Sequence, residues 1–215
     1  MAKIKVAVEN KTGIAALDAI IKASSTKFGK DLSGQSFGDY QALSTGSLTL
    51  DLALYIGGIP RGKIIEVLGA ESSNKTSFCL SMIARAQEER AAQGITDKRD
   101  LILDLERSMT NKFLKGFGID PDQCITLRPE SAEEALQVSI DYIKSGAIDM
   151  VVLDSVDAMQ NQRQQNRNVG ENDVGGISKE MNDAVRKLVK FCSTYNTTYL
   201  FINQIKMNPG VMFGS

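Results

Sequence analysis

Apolar residues in this chain recur with two alternating periods, that of a helix and that of a strand. Ile14, Leu17 and Ile21 at helical spacing predict a short amphipathic helix over residues 13–24, before the polar stretch SSTKFGKDLSGQSFGD. Such a helix has little apolar sequence beside it and needs a partner surface. From about residue 40 onward, strand-like and helix-like stretches take turns. KIIEVLG (63–69) predicts a strand, after which Cys79, Met82, Ile83 and Ala86 fall on one face of a helix. DLILDLE (100–106) and QCITLRP (123–129) predict two more strands. Ser131 with Glu134 forms a capping box for a helix whose inner stripe is Leu136, Ile140 and Ile143, and Gly146 ends it. DMVVLDS (149–155) is a continuous apolar run of the kind buried on both faces of a sheet. A polar, aromatic-free stretch spans 160–173; next comes a helix with Ile177, Met181, Val185, Leu188 and Cys192 along one side, and TTYLFINQ (197–204) predicts the last strand. Strands alternating with helices imply an α/β fold, a parallel sheet wrapped by crossover helices.

Composition narrows the chemistry. With 215 residues, 42% of them apolar, the chain can bury a real core and reads as one main globular unit with a small appendage. Its 25 Lys and Arg against 26 Asp and Glu offer no global field for nucleic acid or membrane, so any such contact must be local. Cys79, Cys124 and Cys192 are widely spaced and odd in number, which suggests buried thiols of a cytoplasmic protein, not a disulfide framework or zinc cluster. The absence of histidine removes Ser-His-Asp triads, Cys-His dyads and His-ligated metals. Carboxylates, lysine, backbone amides and a bound metal are left to do any chemistry. No apolar run reaches the roughly 20 residues that span a bilayer, and no signal-like pattern opens the chain.

GAESSNKTS (69–77) joins the first long strand to its helix. It matches the phosphate-binding pattern G-x-x-x-x-G-K-[ST] at Gly69, Lys75 and Thr76, with Asn74 in place of the second glycine. In such a loop, backbone amides at a helix N-terminus surround a phosphate, the lysine neutralises its charge and the hydroxyl holds Mg2+. Taken alone, the stretch also reads as a polar strand-to-helix turn with a Ser or Asn cap. MVVLD adds a carboxylate, Asp154, at a strand's C-terminal end, where the magnesium shell of a nucleotide site is held. Glu106 would emerge at the same edge as a base or water-orienting group, or else as a solvated strand-end charge. Asn203 and Gln204 end another strand there, suited to sensing a γ-phosphate or merely to capping a polar terminus.

Four stretches together, STGSLTLDLAL (44–54), GGIPRGKIIEVLGAESSNKTS (57–77), VVLDSVDAM (151–159) and FINQIKMNPGVMFG (201–214), closely resemble the RecA family of bacterial and phage recombinases. The resemblance runs from about residue 13 to the end. It implies a P-loop NTPase fold of RecA type, a mostly parallel twisted sheet with helices on both faces. ATP and Mg2+ are the implied cofactors. Gly69, Glu71, Ser72, Ser73, Asn74, Lys75, Thr76 and Ser77 would form the phosphate loop, with Lys75 and Glu106 catalytic and Thr76 and Asp154 at the metal. Phe113 falls where the family stacks a tyrosine on adenine, and Gln204 where a glutamine reports the γ-phosphate to a DNA-binding loop. The resemblance assigns DNA contacts to Gly170, Val174, Gly175, Gly176 and Lys179 in a first loop and to Lys206 and Met207 in a second, where Pro209 replaces a wedge isoleucine. The N-terminal segment, residues 1–37, would pack on a neighbouring protomer in a filament or ring on single-stranded DNA, and 38–215 would be the ATPase core.

Two departures from the family qualify this. Asn74 puts a side chain where backbone must approach phosphate, which predicts weaker nucleotide binding or slower hydrolysis. The family also continues beyond VMFG, through the rest of the second DNA loop and further strands. The core is therefore expected to be incomplete at its C-terminal side, carrying the cis half of an ATPase assembled between protomers, with an exposed sheet edge that a second chain would complete. A DNA-dependent ATPase and recombinase is the leading expectation, and a non-hydrolysing filament subunit or half of a split recombinase is the alternative. A helicase-loader or clock-type ATPase of the same fold is disfavoured by INQIKMNPGVMFG.

Overall fold

The computed structural model describes residues 15–28, 41–155 and 179–204. The chain divides into two compact units, Met1–Tyr40 and Gln41–Ser215. In the first, helix α1 (Ala15–Phe28) runs four residues past the expected end at 24. The Thr26 hydroxyl donates back to the Lys22 carbonyl at 2.9 Å, so this polar turn satisfies itself within the helix. Leu17 and Ile20 are exposed on it.

The second unit opens with a two-residue hairpin pairing, β1 (Ala42–Leu43) with β2 (Ile59–Pro60), around the short helix α2 (Leu48–Ala53). Then follow β3 (Ile64–Gly69), α3 (Lys75–Gln93), β4 (Arg99–Asp104), α4 (Asn111–Gly116), β5 (Cys124–Leu127), α5 (Ala132–Lys144), β6 (Ile148–Asp154), α6 (Lys179–Tyr195) and β7 (Thr198–Gln204). The five long strands form one sheet in the order β3-β7-β6-β4-β5, all pairs parallel. This is the expected α/β architecture, and the expected strands and helices of the core are all present.

The strand period sorts the core into two layers. Ile102, Met150, Val152, Leu200 and Ile202 face α3, where Cys79, Leu80, Met82, Ile83 and Ala86 are fully buried. Their chain neighbours Leu101, Leu103, Val151, Leu153 and Tyr199 face the opposite way, onto Leu136, Ile140, Ile143, Leu188 and Cys192 of α5 and α6. Each fully buried Leu or Ile stabilises the fold by about 1.5–3 kcal/mol, so the helices packed on both faces anchor the sheet between them. Tyr199 is buried with its hydroxyl 2.9 Å from the Ser139 hydroxyl, which satisfies the one polar atom that layer takes in from the tyrosine.

Some details differ from the sequence reading. On α6 the inward residues are Ala184, Leu188, Phe191, Cys192 and Tyr195, while Val185 lies partly exposed at 37%. The helix turns its apolar stripe toward α5, and Val185 falls to one side of it. The Ser131 hydroxyl accepts from the Glu134 N–H as expected, but Glu134 reaches back to the N–H of Glu130, one residue before the cap. Cys79 and Cys192 are buried and Cys124 is partly buried; all three are unpaired thiols, and burial pushes Cys124 and Cys192 up to about 12. No described helix is long and apolar enough to cross a membrane. β3 is an edge strand in this sheet, with Leu68 at its end 54% exposed.

Candidate nucleotide site

The candidate site residues lie at and just beyond the C-terminal ends of the strands, where open parallel sheets generally bind ligands. β3 ends at Gly69, and the chain turns through residues 70–74 into α3. A Cβ at Gly69 would come within 2.4 Å of the Ser73 hydroxyl, so the glycine lets that hydroxyl fold close over the end of β3. Ser72 (φ 59°) and Asn74 (φ 63°) both take left-handed backbone, which asparagine tolerates far better than bulky or branched residues. Asn74 is the residue before the helix, and its carbonyl accepts the Phe78 N–H at 2.9 Å, yet its side chain makes no capping bond. The asparagine therefore reproduces the turn a glycine makes and leaves its amide group exposed.

Lys75 is 8% exposed and its Nζ donates to the carbonyl of Ala70 at 2.7 Å, folding the ammonium back over the loop. The Thr76 hydroxyl donates to Asp154 Oδ2 at 2.9 Å. That contact joins two segments 78 residues apart and brings the loop and the end of β6 together. Asp154 is buried, and desolvation pushes its carboxyl up to about 6; the Thr76 hydrogen bond and Lys75 pull it down, while the charges of Glu106 and Asp104 push it higher. No ion pair reaches it among the described residues.

This donor set fits a hard cation held jointly with phosphate. Among the described residues no group of three or more His, Cys, Asp or Glu could hold a metal unaided. A hydroxyl beside an underneutralised carboxylate is suited to Mg2+, which keeps waters and takes phosphate oxygens in its shell.

Glu106 lies two residues beyond β4, is exposed, and its Oε1 accepts from the Ser155 hydroxyl at 2.8 Å. The Leu105 N–H donates to the Asp154 carbonyl at 2.9 Å, so the turn carrying Glu106 is laced to the end of β6. Gln204, the last residue of β7, sits in register with Gly69. Its neighbour Asn203 donates to Glu66 Oε1 at 2.8 Å and accepts the Gln204 N–H.

Glu71, Ser72 and Ser73 are exposed in the loop and Ser77 is half-buried on α3. Phe113 stands on α4, 43% exposed, with Phe117 edge-on at 5.2 Å. Lys179 opens α6; Gly170, Val174, Gly175, Gly176, Lys206, Met207 and Pro209 lie outside the described residues.

Sequence reasoning missed Asp104, Ser155 and Arg128. Asp104 is wholly buried, takes the N–H groups of Ser108 (2.9 Å) and Met109 (3.0 Å), and pairs with Arg128 Nε at 3.3 Å. The signal was an aspartate inside the apolar run LILDL, since a buried carboxylate must find donors.

The RecA N-terminal domain family model matches residues 15–215. Protein RecA of Bdellovibrio bacteriovorus is 36% identical over 217 aligned residues, covering 97% of this chain and 56% of that protein. Protein RecA of Sulfurovum sp. is 40% identical over 205, covering 93% and 57%, and that of Ruminococcus albus 40% over 177, covering 82% and 43%. The chain thus spans about half the length of these relatives. A match over nearly its whole length, joined to a phosphate-type loop docked on a strand-end aspartate in a parallel sheet, makes this chain a member of the RecA family.

Proposed function

We propose that this chain is the core of an ATP-dependent recombinase that assembles on single-stranded DNA for homologous recombination and repair in the bacterial cytoplasm. The Thr76–Asp154 contact carries the reading, because it unites the loop's hydroxyl with a buried, underneutralised carboxylate. In this reading, backbone amides of 70–76 surround the ATP phosphates and Lys75 leaves the Ala70 carbonyl to neutralise them. Thr76 and Asp154 would hold Mg2+, whose charge would offset that of the phosphates. Glu106, turned by Ser155, orients water for in-line attack. Phe113 offers an open ring face for adenine, and Gln204 passes the presence of the γ-phosphate to the segment that follows β7.

DNA contacts fall to Gly170, Val174, Gly175, Gly176, Lys179, Lys206 and Met207. Residues 1–37 serve protomer packing; exposed Leu17 and Ile20 suit that role. The trans side of the ATPase comes from a neighbouring protomer or a second chain completing the fold.

A nucleotide titration of the 215-residue chain with Mg2+, followed by ATP hydrolysis with and without single-stranded DNA, tests the proposal. Magnesium-dependent binding with DNA-stimulated turnover is expected. No binding would remove the nucleotide reading, and binding without turnover would leave a filament subunit that does not hydrolyse.

A further inference from the structure

Glu106 rides on a turn, residues 105–109, that further polar groups tie down from the side away from β6. Asp104, at the root of the turn, accepts the N–H groups of Ser108 and Met109 at its far end. Arg128, just beyond the end of β5, closes the clasp: Nε pairs with Asp104 Oδ2 at 3.3 Å and Nη2 donates to the Met109 carbonyl at 2.9 Å. A cleft of about 360 Å³ opens beside the clasp, among Met109, Leu114, Leu127 and Arg128. Arg107 within the turn has left-handed backbone (φ 57°), a conformation that persists only where surrounding contacts impose it. Arg128 also balances a wholly buried carboxylate that would otherwise add its charge to those of Asp154 and Glu106.

We infer that Arg128, acting through Asp104, is a positioning residue for Glu106: the clasp holds the turn so that the Glu106 carboxylate stands where attacking water must be oriented. The inference rests on the ATP site proposed above. Arg128 is assigned this role through the turn, not through contact with the ligand. Its side chain is half exposed, so its loss removes the clasp without opening the core.

The test compares a ground-state ligand, Mg2+·ATPγS, with a mimic of in-line transfer, Mg2+·ADP–aluminium fluoride, on the full 215-residue chain. Arg128→Gln is expected to leave ATPγS affinity within about twofold and weaken the aluminium fluoride complex about tenfold, with Arg128→Lys recovering part of the loss. Glu106→Gln should show the same selective loss, and adding Arg128→Gln to it should cost nothing further, as for two residues acting through one group. Equal weakening of both ligands, no weakening of either, or full additivity with Glu106→Gln would overturn the positioning role. So would a parent chain that binds ATPγS but has no preference for the transfer mimic. A parent chain that binds neither ligand would sink the nucleotide site itself, and this inference with it.

Discussion

At the N-terminal end of the parallel sheet, Arg90 donates to both oxygens of Asp100 (2.9 and 2.7 Å) and to Asp149 (2.6 Å), and Arg61 bridges Asp149 and Glu89. Gln87 adds a bond to Asp100 and fastens Asp120. At the C-terminal end, Asp104, Asp154 and Glu106 gather with Lys75 turned onto a carbonyl and Arg128 engaged with Asp104 alone among the carboxylates. The first cluster is nearly closed on itself: Arg90 meets the buried Asp100 in forked geometry and Arg61 spans Asp149 and Glu89, with the buried Arg90 Nε left unpartnered. The second leaves Asp154 desolvated with a hydroxyl for a partner, an arrangement that gains from an incoming cation. Both ends are charged and centred on a buried aspartate, yet one is suited to holding the strands together and the other to holding a ligand.

The largest break in this comparison is Arg90→Met. It leaves Asp100, which is fully buried, without its countercharge, and should cost about 3–5 kcal/mol in urea unfolding while leaving nucleotide affinity of the folded fraction unchanged. A comparable cut at the other end should do the reverse.

Asp154→Asn is expected to stabilise the free protein near neutral pH and to weaken magnesium-dependent nucleotide binding at least about tenfold. The sign follows from titration. An unfolded aspartate titrates near 3.9, whereas Asp154 in the folded chain is held up to about 6, so the folded state retains its proton longer. This group favours folding fully below about pH 4 and loses that contribution as pH rises through 6, on the order of 2–3 kcal/mol in all. Unfolding at pH 5 and pH 7.5 should show a pH dependence that the Asn variant lacks; identical profiles would show that Asp154 is not the strained carboxylate of this site.

Phe113→Ala sharpens the comparison on the ligand side. It removes the edge-on contact with Phe117, for about 0.5–1.5 kcal/mol of stability, and should lower affinity for ATP more than for inorganic triphosphate if the ring stacks on adenine. The smallest stability effect is expected from Asn74→Gly, within about 0.5 kcal/mol, since the backbone already occupies the conformation glycine prefers. Its nucleotide affinity should tighten about three- to tenfold as the side chain leaves the phosphate's path, and calorimetric titration reads that directly.

Much of this molecule is legible along the chain. The alternation of residues such as Leu101 with Ile102, or Val151 with Val152, sets which side chains face α3 and which face α5 and α6, because a strand's period of two leaves no choice once both faces are covered. The spacing from Gly69 to Thr76 and the aspartate ending DMVVLD are local patterns, and local geometry alone places them at strand ends. Asn74 was visible as a departure, and as a residue type that tolerates unusual backbone, but that the loop calls on this tolerance, with φ at 63°, only the fold shows.

What only the tertiary structure decides is which strand ends become neighbours. The order β3-β7-β6-β4-β5 lays Gln204 beside Gly69 and Asp104 beside Asp154. Non-local pairing of parallel strands follows from how the helices pack across the sheet, and no short window of sequence encodes it. The same holds for the charges. Arg61 with Asp149 and Thr76 with Asp154 are 88 and 78 residues apart. Their partners are settled by burial, because a carboxylate taken out of water must meet whatever donor the fold brings to it.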